Sequence, residues 1–353
     1  MAISTADGRV AEGIGAPTRD RAATPEDLRL ALRAATLYYL DGLTQAEIAS
    51  RLGVSRPTAG RLIARAKSRG LVRIDVVVPP DMRDDLHADE ERELEHRFGL
   101  TEAVIAGHGV DVGAPGRPAA FASVGRAAAA LLMRRLSPSD VLGFTWGPEQ
   151  VAVATALTPG VASCRTVVQL DGAMSTAAYQ TGNEFILGRC ADVLRANTIR
   201  LPAPLYADPS TVVSMRSDSL ISRTLEAGRR ADLMLFGVGA VSTSTTLFEG
   251  SFVDTRMLDE LISLGAVGEI GGRFFDADGV PVDTELQQRA VSVPLEDIRT
   301  CEKTILISSG AAKHHATLAA LRGKLARLLV CDIDCARWLL SQDRSAPVKG
   351  EVK

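Results

Sequence analysis

The sequence lacks the features that mark secreted, membrane-bound or metal-carrying proteins. It holds five cysteines in 353 residues, an odd number without paired short spacings, so we expect reduced, cytoplasmic thiols and not a disulfide framework. It has no apolar run near the ~20 residues that a membrane helix needs. It also has no Walker loop and no complete set of zinc ligands. These absences predict no membrane partner, no metal and no cofactor.

Charge limits where a nucleic acid could bind. The formal net charge is −3, so the chain as a whole is not a polycation and any nucleic-acid surface must be local. Residues 51–74 are a local candidate, because they hold seven basic side chains and no Asp or Glu. A solvated structural helix usually mixes both signs, whereas a helix that faces phosphates avoids carboxylates.

The pattern around this basic segment predicts a helix-turn-helix. Residues 1–24 are polar and are predicted to be a disordered tail, and Pro25 begins the first predicted helix. The letters "TQAE" at 44–47 form a capping box for a second helix. Gly53 permits the turn, and Ser55 caps a third helix.

The third predicted helix carries the side chains expected to meet DNA. Arg56, Thr58 and Arg61 near its start are the candidates for reading base edges, and its later arginines are expected to contact phosphates. We assign residues 25–80 to a DNA-binding domain; the alternative is a small helical interaction module with a basic face. The predicted DNA-binding residues are Thr44, Gln45, Ser55, Arg56, Pro57, Thr58, Arg61, Arg65 and Arg73.

Two further elements are expected before the second domain. The run "LVRIDVVVP" at 71–79 alternates and is β-branched, which predicts a strand that would form a winged element. Residues 81–100 are rich in acidic side chains and predict a linker helix, with Leu86, Leu94 and Phe98 turned inward and the charges solvated.

Residues 101–345 are predicted to form a larger α/β domain. Short, continuous apolar runs alternate with helical segments, which predicts a mainly parallel, Rossmann-like sheet covered on both faces. Several strands end in glycine, among them the ones that end at Gly143 and Gly239. Ligands in such sheets lie beyond the carboxyl ends of the strands, so we predict a small-molecule pocket there. Residues 346–353 are predicted to be a tail.

No catalytic machinery is evident in this domain. The letters "GFTWG" at 143–147 are similar to a nucleophile elbow, but threonine replaces serine and no partner histidine is evident. Lys313 follows a strand end and a glycine, where it is placed to contact a phosphate or sugar oxygen; a plain exposed lysine is the alternative. We therefore assign no catalytic residues.

The order of several sequence blocks resembles the SorC family of sugar-sensing bacterial transcriptional regulators. The blocks are "YYLDGLTQAEIASRLGVSRPTAGRLIARA", "LGFTWG", "VVQLDG", "LPAP", "ADLMLFGVGA", "GAVGEIGGRFFDADG" and "SSGAAKHHATLAALRG". The match covers nearly all of residues 28–341. The resemblance implies a helix-turn-helix, a sugar-isomerase-like effector domain, and dimers or tetramers on a palindromic operator.

The resemblance also suggests which residues meet the effector. Where family members often carry two hydroxyl residues that hold a phosphate, this chain has Pro148 and Glu149. A carboxylate repels phosphate but accepts hydrogen bonds from sugar hydroxyls, so we expect an unphosphorylated sugar or polyol over a sugar phosphate. The predicted effector-binding residues are Gly143, Thr145, Gly147, Glu149, Asp171, Gly172, Pro204, Gly239, Glu269 and Lys313.

The function predicted from these observations is regulation of transcription. We expect a regulator of a carbohydrate or polyol catabolic operon, whose operator affinity is controlled by a sugar, polyol or sugar phosphate. An enzyme similar to a sugar or sugar-phosphate isomerase, fused to a DNA-binding head, is the first alternative. A structural DNA-binding protein without an effector is the second.

Overall fold

The computed structural model describes residues 24–74, 86–107, 119–176, 179–180, 182–243, 245–249, 252–282 and 284–342. The chain divides into two compact units, one up to residue 77 and one from residue 78 onward. The predicted tails at 1–24 and 346–353 lie outside the described residues, apart from Thr24. Within the described ranges, no helix is both long enough and apolar enough to cross a membrane.

The described part of the first unit consists of three helices, α1 Pro25–Tyr39, α2 Gln45–Leu52 and α3 Arg56–Ser68. Both predicted N-terminal signals are present as hydrogen bonds, because Thr44 and Glu47 form a reciprocal capping box and Ser55 caps α3. Gly53 ends α2 with a φ of 66°, a left-handed conformation that glycine adopts without steric cost. The predicted helix-turn-helix is confirmed.

Apolar side chains at helical spacing hold the three helices together. The buried set includes Ala31 and Ala34 of α1, Ile48 of α2, and Ala59 and Leu62 of α3. Alanine dominates this core, and its small side chain lets the helices approach closely. The buried residues of α3 lie on one face of the helix, so its other face can carry charge. Residues 71–74 form no strand, and the rest of the predicted winged strand lies outside the described residues.

The second unit contains the remaining elements. Its helices are α4 Ala88–Phe98, α5 Ala119–Arg135, α6 Pro148–Ala156, α7 Asn183–Leu194, α8 Pro209–Ser217, α9 Ser219–Arg229, α10 Thr246–Glu249, α11 Thr255–Ser263, α12 Glu285–Arg289, α13 Leu295–Thr300, α14 His314–Arg322 and α15 Ile333–Ser341. Its strands are β1 Glu102–Ala106, β2 Val141–Phe144, β3 Thr166–Gln169, β4 Ser175–Thr176, β5 Tyr179–Gln180, β6 Asn197–Ile199, β7 Leu233–Gly237, β8 Gly239–Ala240, β9 Gly268–Ile270, β10 Arg273–Phe275, β11 Thr304–Ser308 and β12 Leu328–Asp332.

The described part of the predicted linker helix, α4, packs within the second unit. Leu94 is fully buried in its core, and Phe98 is partly buried against the same cluster. Leu86, which we expected to point inward, is 45% exposed, because it precedes the helix and does not share its apolar face. Arg97 donates hydrogen bonds to the carbonyl oxygens of Leu339 and Leu340 at the end of α15. The acidic helix is therefore anchored to the larger domain.

Seven parallel strands form the main sheet, in the order β1-β12-β11-β7-β2-β3-β6. Alternate residues of β7 enter two different cores. Leu233 and Leu235 join the core packed beneath α5, α6 and α7, whereas Met234 and Phe236 join the core that includes α4, α14 and α15. Because both faces are covered, the strands have continuous apolar runs and not an alternating pattern. The predicted Rossmann-like sheet is confirmed.

All seven strands are parallel, but the direction in which the chain adds successive strands to the sheet reverses once. After β2 the chain adds β3 and β6 on one side, and then returns to place β7 on the other side of β2. Such a switch point leaves a crevice beyond the carboxyl ends of the two central strands. A separate antiparallel sheet, β10-β9-β8, continues from β7 and closes one side of this crevice.

Candidate functional site

The candidate DNA-binding surface is the exposed face of α3 and the turn before it. The Ser55 hydroxyl accepts a hydrogen bond from the Thr58 amide at 3.3 Å and lies 2.8 Å from the Thr58 hydroxyl. The Arg61 guanidinium donates to that same Thr58 hydroxyl at 3.3 Å. These contacts orient three polar side chains on the first turns of the helix, where a recognition helix presents residues to base edges.

The predicted DNA-binding residues occupy accessible positions. Thr58 and Arg65 are half-buried, and the other members of the set are exposed: Thr44, Gln45, Ser55, Arg56, Pro57, Arg61 and Arg73. The Gln45 side chain also approaches α3, because its Oε1 atom lies 3.3 Å from the position that a Cβ on Gly60 would occupy. None of the residues chosen from the sequence is buried, and Ser55, Thr58 and Arg61 contact one another at the start of α3.

A cavity of about 180 Å³ lies at the switch point of the second unit. Its volume is roughly ten times the minimum that one water requires. It is lined by the segments that follow β2, β7 and β11, together with residues of α5, β8 and β9. The lining residues are Phe121, Thr145, Trp146, Gly147, Pro148, Glu149, Gln150, Gly237, Val238, Gly239, Ala240, Ser242, Thr245, Leu247, Glu269, Gly271, Ala312 and Lys313.

A buried ion pair joins two of the cavity walls. Glu149, in the first turn of α6, forms a salt bridge with Lys313 at the start of α14. The Glu149 side chain is 2% exposed and the Lys313 side chain is 20% exposed. The carboxylate also lies at the N-terminal end of α6, where the helix dipole favours negative charge. One residue thus neutralises both the lysine and the positive end of the helix.

Glu269 supplies a second carboxylate to the cavity. The Gly272 amide donates a hydrogen bond to its Oε2 atom at 2.7 Å. Its Oε1 atom faces Gly239, which is its register partner across the β8–β9 pair, and a Cβ at residue 239 would overlap this oxygen. Burial raises the pKa of Glu269, while the Gly272 amide and the charge of Lys313 act to lower it.

Asp171 is buried beside the cavity and does not line it. The Trp146 amide lies 3.3 Å from both of its carboxylate oxygens. Burial raises the pKa of Asp171 well above its usual range, the Trp146 amide opposes that rise, and the charge of Glu269 adds to it. Asp171 is therefore placed to hold the loop after β2, which carries several of the lining residues.

Three other predicted effector-binding residues contact the protein backbone or core. A Cβ on Gly172 would overlap the carbonyl of Pro204, and Pro204 forms an isolated bridge with Ala173. A Cβ on Gly143 would crowd the Leu170 side chain at 2.6 Å. The structure brings together Thr145, Gly147, Glu149, Gly239, Glu269 and Lys313 around the cavity, whereas Gly143, Asp171, Gly172 and Pro204 do not line it.

Several lining residues were not predicted from the sequence. Gln150 follows Glu149 directly and is 1% exposed; its polarity within an apolar helix was the available signal. Trp146 was inside a quoted block but was assigned no role. Gly271 was also inside a quoted block without an assigned role, and Phe121 and Thr245 lie in segments with no distinctive motif.

The described residues show no metal centre. Among them, no group of three or more His, Cys, Asp and Glu side chains is placed to hold a metal ion. Each of the five cysteines is a buried free thiol. The rings of His314 and His315 both pack against Trp338, with ring centroids at 5.1 and 4.9 Å and the His315 ring edge-on, so this histidine pair packs between α14 and α15.

Comparisons with known proteins agree with both units. Residues 85–341 match the Sugar-bind family, described as "Putative sugar-binding domain", and residues 33–69 match Sigma-70, region 4. The deoxyribonucleoside regulator of Bacillus subtilis is 32% identical over 317 residues, covering 90% of this chain and 98% of the relative. The sorbitol operon regulator of Klebsiella pneumoniae is 28% identical over 320 residues, covering 89% and 98%.

The full-length crystal structure of the sorbitol operon regulator SorC from Klebsiella pneumoniae has the same architecture. It superposes with a TM-score of 0.64 at 27% identity, covering 90% of this chain and all of the other. The fold, the cavity and these relatives define a DNA-binding transcriptional regulator with a sugar-binding domain, and not an isomerase-like enzyme. Within that class, the chain belongs to the SorC family.

Proposed function

We propose that the effector of this regulator is an unphosphorylated sugar or polyol, which binds in the switch-point cavity. The observation that carries this proposal is the position of the Glu149 carboxylate. The N-terminus of a helix is ordinarily an anion site, because its free amides and its dipole attract negative charge. In α6 the first turn of the helix already carries the protein's own carboxylate, that of Glu149.

Two further features of the cavity disfavour a phosphate. Pro148 is the first residue of the helix and has no N–H to donate. Lys313, the one basic side chain that lines the cavity within the described residues, is paired with Glu149. A phosphate that reached Lys313 would have to displace this carboxylate or lie beside it, and like charges at such short distances repel.

The remaining polar groups of the cavity suit a neutral ligand with many hydroxyls. Glu149 and Glu269 are acceptors of hydrogen bonds, and sugar hydroxyls can donate to both. Trp146 and Phe121 add aromatic surface to the cavity lining, as is usual where a pocket combines apolar contact with a few polar groups. The names of the two relatives, a deoxyribonucleoside regulator and a sorbitol operon regulator, support an effector of the sugar or polyol class.

The effector would act on DNA through the assembly of the chain. We propose that homodimers or tetramers place two copies of α3 on a palindromic operator, since paired recognition helices must match the repeat of the duplex. A ligand changes DNA affinity only if it binds one arrangement more tightly than another. A coupling of about 1–3 kcal/mol would change operator affinity by roughly 5- to 150-fold.

A thermal-shift screen with matched pairs tests the effector class. The purified chain is heated with D-ribose and D-ribose 5-phosphate, and with D-glucitol and D-glucitol 6-phosphate. A ligand that binds only the folded state raises the melting temperature by mass action. We expect a rise with a free sugar or polyol and a smaller rise, or none, with its phosphate.

Operator binding completes the test. Compounds that raise the melting temperature are titrated against the chain on DNA from its own promoter region, and fluorescence anisotropy reports occupancy. A screen in which only phosphates stabilise the chain would refute the proposed effector class. A stabilising sugar that leaves operator affinity unchanged would refute its role as effector.

A further inference from the structure

Gln150 is a buried amide in the wall of the cavity. It follows Glu149 in the first turn of α6, lines the cavity and is 1% exposed. Its amide nitrogen lies 3.5 Å from the Thr145 hydroxyl. Its amide oxygen is buried and has no hydrogen-bond partner among the described residues.

Two glycines make room for this side chain. A Cβ on Gly147 would overlap the Gln150 oxygen, and a Cβ on Gly237 would come within 3.3 Å of its nitrogen. Both glycines line the cavity themselves. The amide is thus held between the segments that follow β2 and β7, on either side of the switch point. The terminal torsion of glutamine is broad, so the amide plane can turn toward a ligand without moving the helix.

We infer that Gln150 is a specificity-determining residue, whose amide oxygen accepts a hydrogen bond from one hydroxyl of the bound effector. This inference rests on the proposed binding of a sugar or polyol in the cavity. Polar groups inside proteins are nearly always hydrogen-bonded, and a buried oxygen without a partner is costly. A ligand hydroxyl removes that cost on binding, so the free protein is prepared for a donor at this point.

An acceptor at this position also rejects certain ligands. A hydroxyl both donates and accepts, whereas the oxygens of a dianionic phosphate only accept. A ligand that places phosphate, ether or methylene beside Gln150 leaves the amide oxygen unsatisfied. Removing one partner of a buried hydrogen bond weakens binding by about 5- to 150-fold, so a deoxy analogue at the recognised position should bind that much more weakly.

The test pairs a variant with a set of analogues. Isothermal titration calorimetry measures the binding of D-ribose, D-glucitol and all of their monodeoxy derivatives to the wild-type chain and to Gln150→Leu. We expect one deoxy derivative to bind the wild type about 5- to 150-fold more weakly than its parent. The leucine variant should bind the parent and that derivative about equally, because the lost contact is the same one.

Gln287→Leu is the matched control. Gln287, on α12, also has a buried amide oxygen without a partner among the described residues, but it does not line the cavity. Its variant should discriminate between parent and deoxy sugar as the wild type does. The melting temperature of ligand-free Gln150→Leu should equal or exceed that of the wild type, since the substitution removes an unsatisfied oxygen.

The outcomes separate this inference from the proposed effector. If the wild type binds the parent compounds and Gln150→Leu retains the discrimination, the role of Gln150 is refuted and the effector class stands. A large loss of stability in ligand-free Gln150→Leu, with discrimination retained, assigns the glutamine a purely structural role and also refutes the inference. If only phosphorylated sugars or polyols stabilise the wild type in the thermal-shift screen, the proposed effector class fails and the inference fails with it.

Discussion

Replacing Glu149 by glutamine should convert the cavity from one that excludes phosphate to one that accepts it. The substitution preserves the size of the side chain and its capacity to accept a hydrogen bond, but removes its charge. Lys313 would then lose its ionic partner, and the N-terminal end of α6 would lose the carboxylate that now occupies it. Both positive groups would become available to an anionic ligand.

The repulsion between a bound phosphate and the Glu149 carboxylate sets the size of this effect. A phosphate oxygen bound to the Lys313 ammonium would lie about 4 Å from the Glu149 carboxylate, where two unit charges repel by about 4 kcal/mol at an effective dielectric constant of about 20. Lys313 is 20% exposed, so solvent reduces this value. We expect Glu149→Gln to bind D-ribose 5-phosphate and inorganic phosphate at least about tenfold more tightly than the wild type, which corresponds to 1.4 kcal/mol.

Stability should change in the opposite direction. Removing one member of a fully buried ion pair costs about 3–5 kcal/mol, and partial exposure of Lys313 reduces the cost to about 2–4 kcal/mol. For a domain of this size, the melting temperature of the ligand-free variant should fall by about 4–16 °C. Phosphate should raise the melting temperature of the variant and leave that of the wild type unchanged.

Glu184→Gln is the matched control for this prediction. Glu184 lies in the first turn of α7, as Glu149 does in α6, and it pairs with Arg200. Both of these side chains are largely exposed, at 69% and 56%, so the pair contributes about 0–1 kcal/mol. Thermal shift and calorimetry should find that Glu184→Gln binds phosphate as weakly as the wild type does. A Glu149→Gln variant that binds phosphate no more tightly than the wild type would refute the electrostatic argument.

Three other substitutions test separate parts of the molecule. Gly239→Ala should abolish the response to effector and preserve operator binding, because the new Cβ would overlap Glu269; anisotropy with and without effector measures both. Arg61→Ala should weaken operator binding by about 5- to 150-fold if this arginine contacts a base, or lower the slope of log K against log salt by about 1 if it contacts a phosphate; a salt titration separates the two. Asp171→Asn should gain stability relative to the wild type as the pH rises above about 4, by at most about 1.4 kcal/mol per pH unit; urea unfolding at several pH values measures this.

The sign of the last prediction follows from the burial of Asp171. Its raised pKa means that, above the range where a free aspartate titrates, the folded state holds a proton that the unfolded state has released. Stability of the wild type therefore falls as the pH rises, until the folded-state pKa is passed. Asparagine does not titrate, so a stability difference that is constant with pH would contradict the prediction. Loss of operator binding in Gly239→Ala would contradict the prediction for that variant. An operator affinity and salt slope equal to those of the wild type would contradict the prediction for Arg61→Ala.

The helix-turn-helix was predictable because its determinants are local. Thr44 and Glu47 of the capping box are three residues apart, as are Ser55 and Thr58, whose amide donates to the Ser55 hydroxyl. Gly53 lies in the turn between the two helices. The absence of acidic residues from 51–74 is also a property of one continuous segment. None of these signals depends on which distant parts of the chain meet.

The α/β architecture was predictable for a related reason. A strand buried on both faces must be apolar throughout, so the letters of β7 and β11 indicate a covered parallel sheet without any knowledge of their neighbours. Glycines at the strand ends then mark the edge where a ligand can approach. The order of the strands is not contained in these patterns, since any strand of this kind could pair with any other.

Only the tertiary structure decided which of the candidate residues meet. Strand order placed β7 between β2 and β11, which brought Glu149 to Lys313 across 164 positions of the chain and set Gln150 between two glycines. The same order placed Asp171, Gly172 and Pro204 outside the cavity lining, although they too lie beyond strand ends. Sequence by itself indicated the helix-turn-helix, the buried strands of the main sheet and the charge of the DNA-binding face, because these depend on neighbours in the chain; the strand predicted at 71–79 is an exception, since residues 71–74 form none. The composition of the cavity depends on packing between distant segments, which only the folded chain brings into contact.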